Sequence, residues 1–254
     1  MKTLRARVAF AFLLALTACK QRPEVPIIGF HAVVDSPGQL DVTPAQLNSQ
    51  LDALAHAGFH AVSLHAVLDH EDHGEFLPPR PIVLTFDDGT ADAVSTVLPI
   101  LRARGMTATF FIVSSWLGKD EATRMTEPLE PGEPSRPVLT WPELLLLKNS
   151  GMEIGSHSRT HARLPQMEDA VALREMTDSK RELEVGLRVP VDLFAYPYNS
   201  FRSRLGPLLH EAGYRAAVAG QDHGNKDRES LYRIGVYRDT TPEELVRFAQ
   251  EGKR

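Results

Sequence analysis

Three segments hold residues whose types and spacing could do chemistry. Residues 85–89 read Thr-Phe-Asp-Asp-Gly and end the apolar run PIVLTF. Two adjacent carboxylates at the end of a buried run are costly unless they bind something. Successive strand side chains point to opposite faces, so Asp87 and Asp88 would not share one role on a regular strand. Gly89 lets the chain bend there, which opens two different roles. The same letters read equally well as a turn capping the next helix. Residues 156–161, Ser-His-Ser-Arg-Thr-His, follow another apolar run. His157 and His161 are four apart, so one helical turn would set both rings on one side. Two imidazoles and one carboxylate, with a position left open for water, make a common catalytic zinc set. A lone histidine is usually structural, whereas this pair at a strand end favours metal. Residues 194–198, Phe-Ala-Tyr-Pro-Tyr, form a third aromatic strand end. Taken singly, they read as a core strand with a turn.

The elements that must position these residues alternate along the chain. Strand patterns fall at residues 26–31, 61–64, 81–86, 106–113, 152–155, 193–196, 214–219 and 232–236. Helical patterns fall at 44–57, 91–104, 141–150, 169–187, 205–212 and 242–250. Leu47, Leu51 and Leu54 line one face of the first helix, and Gly58 stops it. Thr241, Pro242 and Glu244 spell the capped start of the last. This alternation predicts βαβ units and a parallel sheet. Residues 118–140 interrupt the pattern with Pro128, Pro131, Pro134 and Pro137, a spacing that fits one face of a polyproline II helix. The segment reads as a stiff surface loop, or as a loop that contacts the ligand at the rim of the site.

The start of the chain reads as an export signal. Lys2, Arg5 and Arg7 precede the nine-residue apolar run at 8–16, VAFAFLLAL. That is too short to span a bilayer, which takes about 20 residues. Leu16-Thr17-Ala18-Cys19 follows at once and resembles a bacterial lipoprotein signal, in which the cysteine becomes the lipidated N-terminus. Cys19 is the only cysteine in the 254 residues, so no intrachain disulfide is available. The expected organisation is a signal peptide over 1–18, a tether over 19–26 and one domain over 27–254. A composition of 43% hydrophobic and 24% charged residues supplies an ordinary globular core. The net charge is −5, and the chain from Cys19 onward has 25 bases against 33 acids. Nucleic acid calls for basic patches, and none is visible. Neither is a Gly-x-Ser-x-Gly elbow, so nothing supports a serine hydrolase.

Taken together, the order and spacing of the three strand-end segments resemble the polysaccharide deacetylase family (carbohydrate esterase family 4). The resemblance extends to residues 50–64 (QLDALAHAGFHAVSL) and 139–161. It implies a distorted (β/α) barrel and one divalent metal ion, usually zinc. It implies that Asp88, His157 and His161 hold the metal, that Asp87 is the general base, and that the backbone N–H of Tyr198 helps hold the oxyanion. Two departures stand out. Ala195 occupies the place where many members carry an arginine that orients the base. The late strand at 232–236 lacks the histidine that many members use as general acid. His210 fits the letters of that late motif but sits inside a helical pattern. Both departures resemble the subgroup acting on poly-β-1,6-N-acetylglucosamine, in which a histidine at the end of the first strand replaces the late one. His31 occupies that place here, and a core histidine is the alternative. Asn199 stands where members usually have glycine.

The expected function is removal of N-acetyl groups from an amino-sugar polysaccharide by a lipid-anchored enzyme of the cell envelope, in the periplasm or outer membrane if the source is Gram-negative. The alternatives are a peptidoglycan deacetylase, a glycan O-acetyl esterase, or a non-catalytic glycan-binding lipoprotein on the same fold. Nothing in the sequence sets the oligomeric state.

Overall fold

The computed structural model describes residues 25–126, 136–220 and 227–254. The expected signal peptide, Cys19 and all but the last two tether residues lie outside the described residues, as do Pro128, Pro131 and Pro134. No helix among the described residues is long and apolar enough to cross a membrane.

The chain runs β1 (Ile27–Phe30), α1 (Pro44–His56), β2 (His60–Val62), α2 (Leu64–His73), β3 (Pro81–Phe86), a π-helical turn (Ala93–Val97) leading into α3 (Leu98–Arg102), and β4 (Thr109–Ile112). It continues through α4 (Trp141–Asn149), β5 (Glu153–Ser156), α5 (Asp169–Leu187), β6 (Leu193–Ala195), α6 (Leu205–Glu211), β7 (Ala216–Ala219), β8 (Leu231–Tyr232), β9 (Ile234–Gly235) and α7 (Pro242–Glu251). The strand order is β8-β7-β6-β5-β4-β3-β1-β9, with β2 beside β3, and every pairing is parallel. The expected late strand at 232–236 is in fact two short pieces. β8 pairs with β7 and β9 with β1, so the chain crosses from one sheet edge to the other at Arg233 and nearly closes a distorted (β/α) barrel.

Alternation sets the two faces of each strand. Ile28, Phe30, Leu84, Phe86, Phe110 and Ile154 face outward and pack with α1, α4, α5 and α7. Phe30, Phe86 and Phe110 stack with centroids 5.1 and 5.2 Å apart, which locks the register of β1, β3 and β4 just below the site. Burying one such ring contributes about 1.5–3 kcal/mol. The opposite face fills the barrel: Ile27, Val83, Phe111, Leu193, Ala216 and Val218 pack with Leu64, Val67 and Leu68 of α2. Helix α2, which the pattern reading does not anticipate, therefore plugs the pole at the N-terminal ends of the strands. Gly155 leaves room for Phe111, whose ring carbons would lie 2.5 Å from a Cβ there.

Two other elements differ from expectation. The helix expected over 91–104 starts with the π-turn, because Pro99 has no N–H to give to the carbonyl four residues back. Residues 157–161 form no helical turn; Ser158 and His161 take left-handed backbone instead, with φ of 62° and 60°.

Candidate metal centre and active site

The inward alternation of the strands ends at one rim. His31 follows β1, Asp87 follows β3 and His157 follows β5, each two residues beyond an inward position (Gly29, Thr85, Gly155). Asp88 would point away on a regular strand. It reaches the same rim because its backbone is left-handed, φ 69°, and Gly89 continues the bend at 78°. The bend expected at Gly89 thus begins one residue earlier. Such backbone is disfavoured for a residue with a Cβ, and surrounding structure must hold it.

Asp88, His157 and His161 each offer one ligand atom, and the three atoms lie within 4.8 Å of one another. Asp88 Oδ1 is 3.5 Å from His157 Nε2 and 3.4 Å from His161 Nε2. The donor chemistry fits a cation. His157 Nδ1 donates to the Ala195 carbonyl at 2.8 Å, which leaves Nε2 with its lone pair turned toward the carboxylate. Burial pushes the His157 pKa down to about 4, against the Asp87 charge, and pushes His161 down to about 3, so both rings are neutral and able to coordinate at ordinary pH. Two imidazole nitrogens and a carboxylate oxygen converging at one rim suit a divalent ion with an open position.

The loop bearing His161 is held on both sides. Glu175 of α5 accepts from the Thr160 amide at 2.8 Å and its hydroxyl at 2.9 Å, and Ser179 donates to the Ser158 carbonyl. On the other side the Ser115 amide donates to the Arg159 carbonyl at 3.0 Å. The His161 ring sits between Trp116 and Tyr198, with centroids 5.3 and 4.6 Å away, and the Arg163 guanidinium covers the outer face of Tyr198.

Asp87 is buried and does not stand alone. Arg233 grips both carboxylate oxygens, Nη1 to Oδ1 and Nη2 to Oδ2, each at 2.6 Å. The same guanidinium reaches Thr85 Oγ1 at 3.2 Å and Asn199 Oδ1 at 2.6 Å. Burial opposes the Asp87 charge most strongly, but the charge and hydrogen bonds of Arg233 together with the neighbouring His157 and His31 hold this carboxyl well below the usual carboxylate range. Arg233 is the residue that the sequence reading missed. The orienting arginine absent at 195 is replaced in space by one from the barrel-closing strand, and Gly29 leaves the room: a Cβ there would meet Arg233 Cδ at 2.9 Å.

His31 Nε2 lies 4.0 Å from Asp87 Oδ2. Burial lowers its pKa, against the Asp87 charge that raises it. Tyr198 sits in the turn Pro197–Asn199 with φ 59°, on the same rim as His161. His210 is exposed on α6, paired with Glu229 at 3.0 Å and away from this cluster. The six site residues expected in the domain therefore gather at one rim, while Cys19 lies outside the described residues.

Known proteins share the sequence pattern and the fold. Residues 74–217 match the polysaccharide deacetylase family. The poly-β-1,6-N-acetyl-D-glucosamine N-deacetylase of Staphylococcus aureus (strain MSSA476) is 21% identical over 202 residues, 76% of this chain. The protein of the same name from Escherichia coli (strain K12) is 32% identical over 93 residues, 35% of this chain. The chain spans 66% of the length of the first and 14% of the second. The solved structure of a de-N-acetylase from Aggregatibacter actinomycetemcomitans has the same fold, with a TM-score of 0.76 at 21% identity, covering 88% of this chain and 99% of that one. With its family match spanning more than half its length and its barrel carrying the aspartate–histidine cluster at one rim, the chain belongs to the polysaccharide deacetylase family.

Proposed function

We propose that the protein is a zinc-dependent hydrolase that removes N-acetyl groups from a poly-N-acetylglucosamine-like polysaccharide at the cell envelope, held there by lipid on Cys19. The observation that carries the reading is one rim holding two separate functions: a three-ligand cluster (Asp88, His157, His161) and a buried, clamped carboxylate beside a histidine (Asp87, His31). A pure glycan binder has no use for both. The glycan assignment leans on the names of the relatives and on His31 standing where a late histidine is absent.

In this reading Asp88, His157 and His161 hold the ion. When bound, it supplies Lewis-acid polarisation of the acetamide carbonyl and an acidified water. Asp87 accepts the water proton as the oxygen attacks the carbonyl carbon. Its lowered pKa keeps it ionised and so free to accept a proton, at the cost of a weaker driving force for the transfer. The Tyr198 N–H donates to the developing oxyanion. His31 gives a proton to the departing amine as the C–N bond breaks, and acetate remains. Burial lowers its pKa, which favours the ring giving that proton up once it carries one.

The test is to offer the purified protein poly-N-acetylglucosamine, chitin oligomers, peptidoglycan and an O-acetylated glycan, and to measure acetate and free amine. Acetate with an equal yield of amine from the first substrate supports the reading. Acetate without amine makes it an esterase, and no acetate from any of them makes it a binder.

A further inference from the structure

Asn199 stands in a turn where glycine would be the easy choice. Its φ is 50° and that of Tyr198 is 59°, so two successive residues with Cβ atoms occupy the left-handed region. Asparagine tolerates this backbone better than most residues do, and a simple turn residue would use its side chain on its own backbone. Asn199 does something else: its Oδ1 accepts from Arg233 Nη2 at 2.6 Å. Space has been left for that contact, since a Cβ on Gly220 would meet Asn199 Cβ and Cγ at 2.7 Å.

We propose that Asn199 is a positioning residue that ties the Tyr198 turn to Asp87 through Arg233, fixing oxyanion donor and base relative to each other. The inference rests on the roles proposed above for Tyr198 and Asp87. The guanidinium has one arm on Thr85 and Asp87, at 3.2 and 2.6 Å, and the other on Asp87 and Asn199, both at 2.6 Å. A shift of the turn therefore pulls on the group that holds the base. The ring of Tyr198 is fixed separately against His161 and Arg163. Asn199 supplies the restraint on the backbone side, where the amide is. Misplacement by about 1 Å costs on the order of 10²-fold in rate.

The experiment measures kcat and KM for acetate release by the intact chain carrying Asn199→Ala, Asn199→Gly, Asn199→Asp, Arg233→Ala, and the Asn199→Ala/Arg233→Ala pair. Metal content and thermal midpoint are recorded for each. Asn199→Ala and Asn199→Gly should lose roughly 10- to 100-fold in kcat with KM changed less than about twofold. Asn199→Asp keeps the acceptor and should retain most of the rate. The double variant should be no worse than Arg233→Ala, because the tether is already broken. In ¹⁵N-arginine spectra, the guanidinium signal that disappears in Arg233→Ala should show slowly exchanging Nη protons in the parent and faster exchange of its Nη2 protons in Asn199→Ala. Parent-like kcat in Asn199→Ala, equal damage in Asn199→Asp and Asn199→Ala, or fully additive losses would each overturn the proposal. If the parent releases no acetate from any substrate, the functional reading fails, while the arginine spectra still decide whether the tether exists.

Discussion

Asp87 and Asp88 are neighbours in sequence with opposite surroundings. Asp88 faces two imidazole nitrogens, and Asp87 lies in the grip of a guanidinium. Substitutions should separate them. His157→Ala should lose metal and rate together, by metal analysis and acetate release, whereas Asp87→Asn should keep the metal and lose the rate. Full activity after chelation would refute the metal role. His31→Ala should lower kcat by about 10²–10⁴-fold with metal retained, and the loss should shrink on an aryl acetate whose leaving group needs no proton. His210→Ala, exposed on α6, should change neither. Arg233→Met leaves a buried carboxylate without its counter-charge, which costs about 3–5 kcal/mol in comparable buried pairs; denaturant unfolding would read the loss. The candidate ligands and the clamped carboxylate were legible in sequence because their segments, 85–89 and 156–161, each follow an apolar run and together resemble the family's pattern. Arg233 was not, since its partners lie 34 and more positions away and its own stretch reads as an ordinary late strand. The signal was there in physical terms: a guanidinium amid Tyr232, Ile234 and Val236 must find a carboxylate if it is buried.

The helices that are readable from sequence carry explicit punctuation. Thr43 with Gln46, and Thr241 with Glu244, form capping boxes in α1 and α7 as their spacing requires. Helix α2 was hidden because Leu64, Val67 and Leu68 give barely one turn of apolar face before three acids and two histidines intervene. Tertiary contacts hold its start. Glu153 accepts from the Leu64 and His65 amides at 3.0 and 3.1 Å, and the His65 ring bridges Glu153 and Asp192 at 2.7 and 2.6 Å. Hydrogen bonds from His65 to Asp192 and Glu153 raise its pKa to about 10, against the cost of burial. The folded value lies above the unfolded one, so this stabilisation is complete below about pH 6.5 and is lost as pH rises toward about 10. The half-exposed ring keeps the effect modest through solvent screening. The parent should lose more thermal stability between pH 7 and pH 10 than His65→Gln does. Parallel Tm-against-pH curves for the two proteins would rule the bridge out as a contributor.

Closure of the barrel by a strand that changes partners at Arg233 gives the molecule two unlike poles. The pole at the C-terminal strand ends carries the site; the other is plugged by α2 and is where β1 begins at Ile27. Parallel strands make this polarity unavoidable, and alternation of elements was enough to read it from sequence. The exchange of partners between β8 and β9 was not, because it depends on how the first and last strands meet. If lipid sits on Cys19, the tether over residues 19–26 is eight residues long, a reach of at most roughly 28 Å when extended. It joins the barrel at the pole opposite the site, so an anchored molecule would turn its catalytic rim away from the bilayer and toward glycan in the surrounding space. One acyl chain binds a membrane only marginally, and stable attachment takes more than one. Intact mass of the native mature protein should therefore show several acyl groups on an N-terminal Cys19. Cys19→Ala should leave the membrane fraction or accumulate unprocessed, while released protein keeps the parent kcat on soluble oligomers, since β1 begins at Ile27 on the pole opposite the rim. On polymer presented at the cell surface the released protein should act more slowly, because local concentration is lost. A mature protein with unmodified Cys19, or a Cys19→Ala variant that stays with the membrane after correct processing, would rule out the anchor and leave the barrel's polarity without this use.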